Sequence, residues 1–231
     1  MSNIKPLTPR QEVRREKILS AARKLVASQG YDGMVMSDLA EVAEVSPTTL
    51  YNLFNTKDEL LLEALRGLMV KNYEKVENLP EDTGWKYLLK VSELGAWLRS
   101  SEPEFGVAIT DALLRAKPGD PLTKLLFEGV RDDFLSSLKK MRSRRALLDE
   151  VDPYHLATIL VGNYWSTFIL LNKGIEKNKQ LILSTKINML SLLAASSRGA
   201  AKQQIEDYLS QIWQSRLEEI NNDKAIQDHN A

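Results

Sequence analysis

Residues 45–56, Val-Ser-Pro-Thr-Thr-Leu-Tyr-Asn-Leu-Phe-Asn-Thr, contain no charged side chain. Within them Thr48, Thr49, Tyr51 and Asn52 supply two hydroxyls, a phenol and an amide. Small neutral groups that donate and accept hydrogen bonds suit one surface well, the floor of the DNA major groove, where base edges and thymine methyls are exposed. Spacing supports presentation on a helix. Leu50, Leu53 and Phe54 fall at i, i+3 and i+4 and predict an inward face; Thr48, Thr49 and Asn52 share the opposite face, with Tyr51 at its margin. Ser46-Pro47 reads as an N-cap followed by a first-turn proline.

The elements that must hold this helix are legible on both sides. Leu39, Ala40, Val42 and Ala43 give a preceding short helix from Met36 an apolar side, and Glu44-Val45-Ser46 is a tight connection, so the pair reads as a helix-turn-helix. Thr56 with Glu59 predicts a capping box for the next helix. Lys57 in its first turn opposes the helix dipole by a few tenths of a kcal/mol, roughly, and a neighbouring phosphate would explain its presence. The net charge is zero over 231 residues. Residues 1–24 nevertheless carry +5, from Lys5, Arg10, Arg14, Arg15, Lys17, Arg23 and Lys24 against Glu12 and Glu16, which concentrates cations just ahead of the helix-turn-helix.

Helical periodicity continues to about residue 220 without a strand pattern. Predicted helices span about 9–28, with Gln29-Gly30 as stop, then 57–78, 85–99, from Pro103 to the break at Lys117-Pro118, 121–145, 153–173, 179–196 and 200–220. The expected organisation is all-α: an N-terminal arm and three-helix helix-turn-helix domain (1–56), a connecting helix (57–78), a larger helical ligand-binding and dimerisation domain (79–220) and a disordered tail (221–231). The basic run Lys139–Arg145 is expected to be a solvated helix end. Helices 153–173 and 179–196 are apolar nearly all round and need cover on both sides, for which a two-fold dimer built as a four-helix bundle is the economical solution. Trp165, Phe168, Ile169, Leu190 and Leu193 are the expected contacts. The longest charge-free stretch, 154–172, contains His155, Thr158, Asn163, Ser166 and Thr167 and is too polar for a membrane span.

Composition removes several function classes. The absence of cysteine excludes thiolate catalysis, disulfides and cysteine-ligated zinc. No histidine and carboxylate cluster has metal-ligand spacing, no Gly-rich phosphate loop follows a strand, and no Ser-His-Asp set can be assembled without choosing freely among distant residues. No enzymatic activity, metal or cofactor is expected. The first sixteen residues lack the apolar core of a secretory signal, so a cytoplasmic location is expected.

Ile18-Leu19, Ala21-Ala22, Gly30-Tyr31, Asp38-Leu39-Ala40, Ala43, Val45-Ser46, Thr49-Leu50-Tyr51, Phe54 and Lys57 stand in an order and spacing that resemble the DNA-binding domain of the TetR family of bacterial transcriptional regulators. The resemblance covers the N-terminal 65 residues. It implies an all-helical homodimeric repressor, a pocket for a small, largely apolar inducer, and release from a palindromic operator in double-stranded DNA when the inducer binds. By the resemblance Thr48, Thr49, Tyr51 and Asn52 match recognition-helix positions and Lys57 matches a phosphate-contacting lysine; Ser37, Ser46 and Pro47 are expected to touch DNA beside them. Three positions depart from the family pattern. Glu44 stands at the usual turn glycine and must avoid a left-handed backbone or bear strain there. Val35 replaces a capping threonine, leaving Ser37 as a displaced hydroxyl, and Leu53 replaces a histidine or tyrosine. A helical ligand-binding or protein-interaction module that has lost DNA binding is the alternative, supported by those departures alone. For the ligand, Trp97, Phe105, Phe134, Asn163, Tyr164 and Thr167 are the candidates; Asp111 is expected to pair with Arg115, four residues on.

Overall fold

Thr8 starts the first helix. Its Oγ1 accepts the Gln11 amide hydrogen and its own N–H donates to Gln11 Oε1 at 2.8 Å, a complete capping box ahead of Pro9. The computed structural model describes residues 8–73 and 84–229 as helices α1 (Pro9–Gly33), α2 (Met36–Val42), α3 (Pro47–Leu53), α4 (Lys57–Tyr73), α5 (Gly84–Ser101), α6 (Pro103–Arg115), α7 (Pro121–Thr123), α8 (Val130–Ser143), α9 (Pro153–Asn172), α10 (Leu181–Ser196) and α11 (Gly199–His229). A π-helical turn, Lys124–Gly129, joins α7 to α8. The expected stop near Gly30 is a break inside α1, with Gly30 at φ 73°, ψ 168° and one further turn to Gly33. The expected end of α4 near Pro80 lies outside the described residues.

Two compact units divide the chain, residues 1–78 with 98–128, and 79–97 with 129–231. In the first, Ile18, Leu19, Ala22 and Val26 of α1, Leu39 and Ala40 of α2, Leu50 of α3, Phe54, and Leu60, Leu61 and Ala64 of α4 form one core, each at most 1% exposed. Helix α6 packs on α1 through buried Phe105, Ile109, Ala112 and Leu113. Val42, expected on the apolar side of α2, is exposed, as are Val13 and Val107. Arg115 does not serve Asp111: it pairs with Asp32 at 3.0 Å. Asp111 instead adds its charge to the surroundings of Arg99, which is folded over Gly106 and donates to the Pro103 carbonyl at 3.0 Å. Burial pushes the Arg99 pKa below its usual value, against the attraction of Asp111 and Glu104.

In the second unit α9 lies between α8 and α10, and α10 packs on α11. Tyr164, Trp165 and Phe168 form an edge-to-face cluster with ring centroids 4.7–5.5 Å apart. Trp165, Phe168, Leu190 and Leu193 are 7%, 3%, 0% and 0% exposed within the single chain, so most of their surface is spent on the interior of this unit. Ile169 is half-buried. The open stripe of α9 runs instead through Thr158, Ile159, Gly162 and Leu170, and a Cβ on Gly162 would meet no atom within 4 Å. On α10 the matching exposed residues are Ser191 and Ala195.

The helix expected over 121–145 contains the π-helical turn and ends at Ser143, with Arg145 at φ 56°. Of its basic run Lys139 and Lys140 are exposed, whereas Arg142 turns back to donate to the Asp149 and Val151 carbonyls. Helix α11 continues to His229 through the segment expected as a tail, since no glycine or proline interrupts 200–229. Trp213 and Leu217 on it are exposed while Ile205 and Ile212 are buried. No helix among the described residues is long and apolar enough to cross a membrane.

Gly30 lies in a backbone region that only glycine occupies freely, and open space surrounds it, so Gly30→Ala isolates the conformational cost. We expect a loss of about 1–3 kcal/mol of stability, measured by urea unfolding.

Candidate nucleic-acid interface

The short helix α3 is oriented from its two ends. At its start Ser46 is extended (φ −69°, ψ 147°) and its Oγ accepts the Thr49 amide hydrogen at 3.1 Å, with Pro47 at the first helical position. The Thr49 hydroxyl lies 2.8 Å from the same Oγ, so one of the two threonines is engaged in the cap and only half exposed. At its end Phe54 is buried, and the Arg15 guanidinium stacks on its ring at 5.5 Å while pairing with Glu63 of α4. Leu50 is fully buried and Leu53 half-buried. Thr48, Tyr51 and Asn52 are exposed together with Ser46 and Pro47, Tyr51 at 51%. The face left open is neutral and polar.

The α2–α3 turn closes as a Schellman motif. The Val45 N–H donates to the Ala40 carbonyl at 2.9 Å and the Glu44 N–H to Glu41 at 3.0 Å, which places Glu44 at the left-handed position. Its φ is 54°, so of the two options open to a non-glycine residue the turn takes strain. The Glu44 carboxylate pairs with Lys17 of α1, and the hydrogen bond and charge of that ammonium hold its pKa below the usual carboxylate value. Val35 caps α2 with extended backbone and no side-chain hydrogen bond, and Ser37 donates to Asp38 at 3.1 Å.

Lys57 is folded back. Its Nζ donates to the Asp32 carbonyl at 3.3 Å and lies 4.5 Å from the Tyr31 ring centroid. Burial lowers its pKa, opposed by the Asp32 charge. Only half of the capping box at α4 forms: Thr56 Oγ1 accepts the Glu59 amide hydrogen at 3.1 Å, whereas the Glu59 carboxylate accepts from the backbone and side-chain nitrogens of Asn55 at 2.9 and 3.0 Å. Asn55 carries an amide that competes for the carboxylate. Tyr31, Asp32 and Lys17 were not among the expected site residues. Tyr31 entered only beside Gly30 in the family resemblance and Asp32 carried no signal; Lys17 was visible only in the basic excess of residues 1–24.

Of the ligand candidates, Phe105 is a core residue of the first unit, and Phe134 and Thr167 of the second, 4%, 0% and 1% exposed. Thr167 donates to the Asn163 carbonyl and accepts from Asn188, both at 3.3 Å. The Tyr164 hydroxyl occupies the space a Cβ on Gly95 would need, and Trp97 is 42% exposed. One cleft of that unit, about 430 Å³, is lined by other residues, Trp85, Lys86, Leu89 and Tyr208 among them. No group of three or more metal-ligating side chains occurs among the described residues.

Residues 18–64 match the family model described as bacterial regulatory proteins, tetR family. The HTH-type transcriptional regulator BetI of Rhizobium meliloti is 33% identical over 66 residues, 29% of this chain and 32% of that protein. The HTH-type transcriptional repressor KstR of Rhodococcus jostii is 35% identical over 68 residues, 29% of this chain and 30% of that protein. The matched stretch thus spans about a third of each curated relative's length. The solved structure of TylP, a TetR regulator from Streptomyces fradiae, superposes with a TM-score of 0.64 at 18% identity, covering 89% of this chain and 98% of that one, a likeness of fold.

Removing the cap tests the local account. Ser46→Ala should lower stability by about 1 kcal/mol in urea unfolding, since the Thr49 amide loses its acceptor; an unchanged midpoint would show that α3 does not depend on it.

Proposed function

We propose that this chain, a member of the TetR family of bacterial regulatory proteins, is a DNA-binding transcriptional regulator that acts as a homodimeric repressor. In this reading it leaves a palindromic operator when a small, largely apolar inducer binds its helical body. The observation that carries the DNA-binding part is the exposed neutral face of α3, Thr48, Tyr51 and Asn52 beside the Ser46-Pro47 cap, on a helix whose other side is locked by Leu50 and Phe54. Side chains of that kind read base edges; Ser37 and Lys57 flank them as phosphate partners. The Lys57 ammonium rests on a neutral carbonyl and a π face, partners that a phosphate can displace. Arg10, Arg14 and Lys24 of α1 are exposed and add the sequence-independent attraction.

Two copies are needed to read two half-sites about one helical turn apart. The open stripes of α9 and α10, with Ile159, Gly162, Leu170, Ser191 and Ala195, are the faces we assign to the dimer, replacing the buried aromatic positions. Their small residues let helix backbones approach closely. Repression follows from occupancy of a promoter by such a dimer, and the inducer reading draws on the apolar helices of the second unit.

Binding of the purified protein to fragments of its own upstream region, followed by fluorescence anisotropy, tests the interface. Tyr51→Ala should weaken the preferred fragment by about 1–3 kcal/mol, and Lys57→Ala should weaken all duplexes alike and reduce the salt slope by about one. If both variants bind as the parent does, the docking of α3 is wrong. Gly162→Arg enters open space in the single chain and should leave it folded while converting dimer to monomer in sedimentation equilibrium; an intact dimer would move the interface elsewhere.

A further inference from the structure

Glu44 is held in the turn by neither packing nor backbone preference. Its φ of 54° suits glycine, and its side chain is 78% exposed. The pair it makes with Lys17 is itself open, 49% exposed on the lysine side, unlike Arg15–Glu63 and Arg23–Glu102, whose arginines are 32% and 12% exposed and tie α1 to α4 and to the residue that caps α6. Open pairs of this kind add little to stability. What Glu44 does contribute is charge at a particular place. It lies two residues before the Ser46 cap of α3, and it neutralises one of the cations that α1 brings to that edge.

We infer that Glu44 is an affinity-setting counter-charge of the DNA interface: it keeps the Lys17 ammonium from phosphate and turns its own carboxylate toward the DNA backbone. This rests on the DNA-binding reading above. With Glu44 present the protein binds duplex DNA more weakly, with a shallower salt dependence, than the same fold would without it. Sequence preference is unaffected, because neither Glu44 nor Lys17 belongs to the face of α3 that reads bases. A protein that must dissociate readily from its site gains by such a brake, since it speeds release without loosening the base contacts.

Glu44→Gln removes the charge and keeps the side chain; Glu44→Gly also removes the backbone strain. The probe is mixed-sequence duplex DNA, so no operator need be known, and anisotropy is followed across a salt series with thermal unfolding confirming that each variant folds. We expect Glu44→Gln to bind several-fold tighter at low salt, with a salt slope steeper by about one for the freed cation. Glu44→Gly should match that gain and melt higher than the parent. Adding Lys17→Gln to Glu44→Gln should return the slope to the parent value. If Glu44→Gln leaves affinity and slope unchanged while Lys57→Ala still weakens binding, the counter-charge is refuted and the DNA-binding reading stands. If the parent and every variant fail to bind DNA at low salt, the DNA-binding reading itself fails and the inference falls with it.

Discussion

A left-handed backbone at one residue decides where α3 points. The Schellman closure of α2 onto Val45 reverses the chain within three residues, and Ser46 starts the next helix at once, so the angle between the two helices has no slack. Everything presented on α3 inherits that angle. The core below it, from Ile18 and Leu19 to Leu50 and Phe54, is filled around this geometry and would have to repack if the turn relaxed. A glutamate at the αL position bears a strain of about 1–2 kcal/mol, which the surrounding core tolerates.

Electrostatics in the first unit is organised around the same turn and the one before it. Asp32 accepts from Lys57 through its carbonyl and from Arg115 through its carboxylate, so the last turn of α1 is tied to both α4 and α6. The basic excess of residues 1–24 is accordingly smaller at the surface than the sequence suggests. Arg15, Lys17 and Arg23 are each matched by a glutamate, from three different segments of the unit. Counting charges along the chain could not reveal this, because Glu63, Glu44 and Glu102 are far from their partners in sequence.

Local rules made the helix-turn-helix legible. The cap at Ser46 and the inward Leu50 and Phe54 follow from near neighbours, and the structure has them; the stop expected at Gly30 is a break with one more turn beyond it. Properties set by tertiary competition were not legible. The Glu59 carboxylate had two amides within reach and took Asn55; Arg115 had two aspartates and took Asp32. On α9 the sequence is apolar on every side, so periodicity could not say which arc the chain covers itself, and bulk was a misleading guide. Trp165 and Phe168 fill the interior because large rings bury most area there, whereas the face left open is marked by a glycine.

The π-helical turn at Lys124–Gly129 bears on how this chain tolerates change in length. Hydrogen bonds that reach one residue further than in an α-helix accommodate an additional residue within the turn. Shortening the chain by one there converts the turn to ordinary α-helix, and Phe134 and Leu138 of α8 keep facing the core. The same deletion within α9 would swing every following side chain by about a quarter turn or more.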